Sequence, residues 1–148
     1  MRIICVFSLF SGLESSLLSG KWQPTGVPTV YKLIEALDKS GHDLRILLTC
    51  KSRNTPWKEA SDKTVRLRGL KTRPRVIAGD PAIPKGFGKL GGILREFRQI
   101  LVIFYHYFQI RPDVLYFDRA NLWSAALFAR YSKTPVVFRV MGVKRDMI

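Results

Sequence analysis

Apolar residues fill the start of the chain: RIICVFSLF, residues 2–10, is β-branched and hydrophobic almost throughout. A run of that kind predicts a parallel strand covered on both faces. The period then changes. Over residues 27–39, Val27, Val30, Tyr31, Ile34 and Leu37 share one side, while Lys32, Glu35, Asp38 and Lys39 turn outward. This spacing predicts an amphipathic helix with Pro28 in its first turn and Gly41 just past its end. LRILLTC, residues 44–50, reads as a second buried strand, which completes one right-handed crossover unit of a parallel sheet.

The pattern loosens afterwards. Val65, Leu67 and Leu70 hint at a short strand, and residues 71–88, with Pro74, Pro81, Pro84 and three glycines, predict a long basic loop. Residues 90–109 return to helical spacing, with Leu90, Ile93, Leu94, Phe97, Ile100, Leu101, Phe104, Tyr107 and Phe108 in a broad apolar stripe that is expected to be chiefly core. Arg111-Pro112-Asp113 ends that helix. VLYF, residues 114–117, predicts a strand, Asn121 a cap for a helix to about residue 131, and residues 135–140 a last strand. The alternation defines a single α/β domain with a doubly wound, mainly parallel, Rossmann-like sheet.

A chain of 148 residues with 47% hydrophobic content can bury one core. Charge adds a second feature. The net charge is +14, and residues 51–98 alone hold 13 basic and 4 acidic groups. An anionic membrane, phosphorylated substrates or nucleic acid would all be attracted. Cys5 and Cys50 lack the spacing of a zinc site or a redox pair, so a reduced, cytoplasmic chain without a metal is expected. The opening residues resemble a short signal peptide in charge and apolarity, but the strand-to-helix pattern needs them as its first strand. The apolar run over residues 100–110 is too short to cross a bilayer.

Ligands of open parallel sheets bind at the carboxyl ends of the strands. Residues 11–25 form a long connection after the first strand, and connections of that length are usually functional or mobile. It ends in Thr25-Gly26 before a helix, where backbone N–H groups can face a phosphate; a plain turn is the alternative. Asp118, Arg119 and Asn121 follow the fourth predicted strand. Arg139 lies inside the fifth, so it should pair with a carboxylate such as Asp118 or reach a ligand anion. His42 and His106 read as structural.

The chain resembles the amino-terminal domain of glycosyltransferase family 4, one half of a GT-B fold. The resemblance rests on RIICVF, the Pro24-Thr25-Gly26 turn, LIEALDKSGHDLRIL with its Gly41-His42-Asp43, RPDVLY, and PVVFRVMG. It implies transfer of a sugar from a nucleotide-sugar donor to a glycan or lipid-linked acceptor, as in envelope polysaccharide synthesis, by a hexosyltransferase-type enzyme with no required metal or other cofactor. It places Gly26 and Thr25 in the loop that approaches donor phosphate, and matches Arg139 and Gly142 to positions in a subgroup. Met141 stands where many members have a histidine, and no catalytic residue carries over.

The resemblance also implies a carboxy-terminal donor domain beyond residues 1–148, either in the same protein or in a separate subunit, without which the chain is expected to be inactive. Lys85, Lys89, Arg95 and Arg98 are the set expected to hold the domain to the inner face of an anionic membrane. A stand-alone basic module for nucleic acid is the alternative in another class. It lacks a nucleic-acid motif, and a dinucleotide enzyme lacks its G-x-G-x-x-G fingerprint.

Overall fold

A computed structural model describes residues 1–10, 12–50, 63–77 and 88–140. Five strands are ordered β3-β2-β1-β4-β5, and every pairing is parallel. They are β1 (Arg2–Ser8), β2 (Asp43–Thr49), β3 (Arg75–Ile77), β4 (Val114–Phe117) and β5 (Val136–Phe138). The helices are α1 (Glu14–Ser19), α2 (Pro28–Lys39), α3 (Gly88–Ile110) and α4 (Leu122–Tyr131). This is the doubly wound α/β architecture that the pattern of the chain predicts. The opening residues form its central strand.

Strand alternation splits the core in two. Ile3, Cys5 and Phe7 of β1 face α2, where Val30 and Ile34 meet Leu44, Ile46 and Leu48 of β2. Ile4 and Val6 face α3 and α4, meeting Ile103, Phe117, Ala125 and Phe128. Phe128 anchors that side, with its ring 4.4 Å from Phe104 and 5.7 Å from Phe117. Burial pushes the Cys5 thiol up to about 12, so it behaves as a small apolar side chain.

Several local expectations are corrected. The connection over residues 11–25 contains α1, which buries Ser16 and Leu17. No strand forms at residues 65–70; Thr64 and Arg68 make only isolated bridges. Instead β3 lies inside the stretch read as loop, where Val76 and Ile77 are fully buried beside β2. The first and last strands are shorter than expected, at Arg2–Ser8 and Val136–Phe138. The stripe on α3 is the largest correction. Phe104 and Tyr107 pack against the core and Ile100 is partly buried, but Leu90, Ile93, Leu94, Phe97, Leu101 and Phe108 are exposed, while Gln99, Ile103 and His106 take the inward face. A helix that is apolar on nearly every side gives the sequence pattern no way to choose the buried one.

Candidate functional site

The sheet reverses its winding between β1 and β4, and at the carboxyl ends of these strands lies a pocket of about 350 Å³. Ser8, Phe10, Val27, Val30, Asp118, Arg119, Ala120 and Arg139 line it. Parallel strands produce this convergence because each delivers its last residues to the same edge.

Asp118 is the latch of that edge. One carboxylate oxygen accepts the Ser8 backbone N–H at 2.6 Å and the Ser8 hydroxyl at 3.0 Å. The other accepts the Asn121 amide at 2.6 Å. Asn121 is buried; its side-chain oxygen accepts from the Thr49 hydroxyl at 3.0 Å, with the Phe7 carbonyl 3.3 Å from that hydroxyl. One polar chain thus ties the ends of β1, β2 and β4. Asn121 does occupy the N-cap of α4, after a 3-10 turn at Arg119–Asn121, but its side chain makes no capping bond. Its amide is committed to the latch.

Arg139 does not pair with Asp118. The register of β4 and β5 would make the two neighbours, yet the carboxylate turns the other way, toward β1. The guanidinium instead donates through Nη2 to the Thr29 hydroxyl in the first turn of α2. It also bonds the Tyr116 phenol: burial pushes that phenol up, and the charge and hydrogen bond of Arg139 oppose the rise. Nη1 is buried and has no hydrogen-bond partner among the described residues. A buried guanidinium N–H without an acceptor is costly, and an anionic group in the pocket would satisfy it.

Thr25 and Gly26 stand at the same edge but do not line the pocket. Gly26 has φ 96°, in the region that favours glycine, so the turn itself requires it. Sequence reasoning missed Gly12, at φ 97°. A Cβ there would sit 2.0 Å from the Thr25 carbonyl oxygen, and Thr25 N–H donates to the Gly12 carbonyl at 3.1 Å. The two loops before α1 and α2 therefore touch backbone to backbone. The only signal in the sequence was a glycine shortly after the first strand.

Arg119 is exposed at the pocket rim, and a smaller crevice beside it runs between α3 and α4, lined by Glu96, Gln99, Asn121 and Trp123 among others. Gly142 and Lys85 lie outside the described residues, as does the side chain of Lys89, while Arg95 and Arg98 are partly exposed on α3. Among the described residues, no group of His, Cys, Asp and Glu is arranged to hold a metal. No helix there is long and apolar enough to cross a membrane.

A parallel sheet of order 3-2-1-4-5 with a pocket at its switch point defines a Rossmann-like ligand-binding domain. Residues 25–146 match the model of the glycosyl transferase 4-like domain, and the chain belongs to that family. No curated protein matches it by sequence. Among solved structures, the chain is similar to UDP-GlcNAc 2-epimerase from Methanocaldococcus jannaschii at 18% identity and a TM-score of 0.51. The match covers 99% of this chain and 34% of that one, so the chain spans about a third of the neighbour's length. The fold is that of the amino-terminal half of a GT-B protein.

Proposed function

We propose that this chain is the acceptor-side domain of a glycosyltransferase that takes a sugar from a nucleotide-sugar donor and passes it to a phosphate-bearing glycan or lipid-linked acceptor. Family membership supports the reaction class. The observation that carries the acceptor reading is Nη1 of Arg139, buried and without a hydrogen-bond partner among the described residues, beside an otherwise largely apolar pocket. Phe10, Val27 and Val30 offer an apolar wall, and Arg139 and Arg119 offer positive charge. Both carboxylate oxygens of Asp118 are already engaged by three donors. The pocket suits an anion with an apolar body.

In this reading a second domain, in the same protein or in a partner, supplies most of the donor site, and no metal is required. Thr25 and Gly26 then serve the phosphate loop, and Asn121 fixes the edge. The domain works at the cytoplasmic face of a membrane.

Calorimetry on the chain tests this. A short-chain polyprenyl phosphate should bind, and Arg139→Met should weaken it at least tenfold, about 1.4 kcal/mol. Nucleotide sugars should bind more weakly than about 1 μM, without transfer. Unchanged phosphate-ligand binding in Arg139→Met, or a tight complex with a nucleotide sugar alone, would overturn the assignment.

A further inference from the structure

Nε of Arg75 and both ring nitrogens of His106 are buried without a hydrogen-bond partner among the described residues. Strand alternation explains why these groups meet under α3. Arg45 shares a face of β2 with Leu47, and Arg75 shares a face of β3 with Ile77; Leu47 and Ile77 pack with Ile103 of α3. His106 stands one helical turn beyond Ile103 and is 1% exposed. Thr64 bridges Arg75 in antiparallel fashion, so its hydroxyl belongs to the same face. Arg45 and Arg75 are partly exposed and Thr64 is exposed, which leaves the cluster within reach of solvent. Neither arginine has an ion pair among the described residues. Asp43, the one carboxylate of β2, is exposed at the start of that strand, and Arg2 of β1 is committed to Asp113. Burial first, then the charges of Arg75 and Arg45, keep the imidazole neutral at pH 7.

We propose that Arg45, Thr64, Arg75 and His106 form a second anion site, which takes a phosphate group as the free ion or as a monoester. A neutral imidazole has one nitrogen that accepts, and a guanidinium N–H beside it could donate to that nitrogen. In the structure the two do not bond, and each is left buried with nothing to satisfy it. Buried polar groups in that state are costly. An oxyanion removes the cost by accepting from Nε of Arg75 and from the ring N–H of His106, with Arg45 and the Thr64 hydroxyl on its solvent side. The donors come from β2, β3, α3 and the segment before β3, so they suit a tetrahedral group better than a flat carboxylate. A bound dianion also reverses the sign of the charge that His106 meets, so the ring takes up a proton on binding. The site lies at the amino half of β2 and the start of β3, whereas the Arg139 pocket lies at the carboxyl ends of β1 and β4. This inference therefore stands apart from the transfer reaction.

Nitrogen-15 NMR of the histidine rings in the full chain tests it, because the chain has 2 histidines and His42 is exposed before β2. Inorganic phosphate and glycerol phosphate are titrated separately, with sodium chloride at matched ionic strength as the comparison. The expected result is a saturable shift of the His106 ring toward its protonated form, with His42 unmoved and chloride without effect. The tighter of the two ligands identifies the source of the phosphate group. Arg75→Gln and Arg45→Gln should each weaken binding by about tenfold or more, whereas Arg139→Met should leave it unchanged. Phosphate should also raise the melting temperature of the parent and not that of the two glutamine variants; Arg45→Gln alone decides the matter if Arg75→Gln does not fold. A His106 ring indifferent to both ligands would overturn the proposal in favour of ordered water at these nitrogens. Affinity unchanged in Arg45→Gln and Arg75→Gln would overturn it as well, and loss of the shift in Arg139→Met would assign the phosphate to the pocket instead.

Discussion

Removing the Asp118 carboxylate should loosen the edge of the sheet on which the pocket is built. In Asp118→Ala, the Ser8 backbone N–H and the Asn121 amide each lose an ionised acceptor at 2.6 Å, while the Ser8 hydroxyl can rotate to water. Bonds to charged groups contribute about 1.5–3 kcal/mol each, so two obligate losses in a part-buried setting come to about 3 kcal/mol. Asp118→Asn should cost far less, about 1 kcal/mol, because the network can invert. The new amide can donate to the Asn121 oxygen, Asn121 can turn its NH₂ to the Thr49 hydroxyl, and that hydroxyl can donate to the Phe7 carbonyl 3.3 Å away. Urea unfolding at neutral pH measures both. An alanine variant losing under about 1 kcal/mol, or an asparagine variant as damaged as the alanine one, would refute the latch.

Two further outcomes follow from buried groups and close backbones. Burial first, then the charges of Arg75 and Arg45, lower the pKa of His106 to about 4, and neither ring nitrogen has a hydrogen-bond partner among the described residues. The unfolded chain, titrating near 6.5, binds the extra proton between about pH 6.5 and 4, so stability should fall by up to about 3 kcal/mol as pH drops through that window. His106→Leu should flatten that limb of a urea-midpoint profile; an unchanged pH dependence would count against the assignment. Gly12→Ala should destabilise by more than the roughly 1–2 kcal/mol of a left-handed alanine, because its Cβ also collides with Thr25. A melting temperature equal to that of the parent would contradict this.

Most of the layer structure was legible from hydrophobic period. The central strands, α2 and α4 each bury a face that the pattern marks, and the placement of Asp118, Arg119 and Arg139 at one edge follows from parallel strands alone. What escaped was short or depended on distant partners. Six residues of α1 bury only Ser16 and Leu17, too few for a period to register. The three residues of β3 sit among prolines and are strand only because β2 offers its edge. Arg139 was legible as a residue needing a partner. Its choice of Thr29 over Asp118 was not, because Ser8 claims the carboxylate from the other side.

The position of β1 also governs how the chain assembles during synthesis. Its amino end is fastened to Asp113, 111 residues later, by a backbone bond and an ion pair at 3.1 Å. One flank of β1 pairs as soon as β2 emerges. The other must wait for β4, roughly three to thirteen seconds at usual rates of translation. For that interval the nascent chain presents the open edge of its most apolar strand, Ile3 to Phe7, to whatever else is being made nearby. Slowing elongation between Thr49 and Val114 should therefore increase aggregation of the nascent chain, whereas slowing it after Phe117 should not.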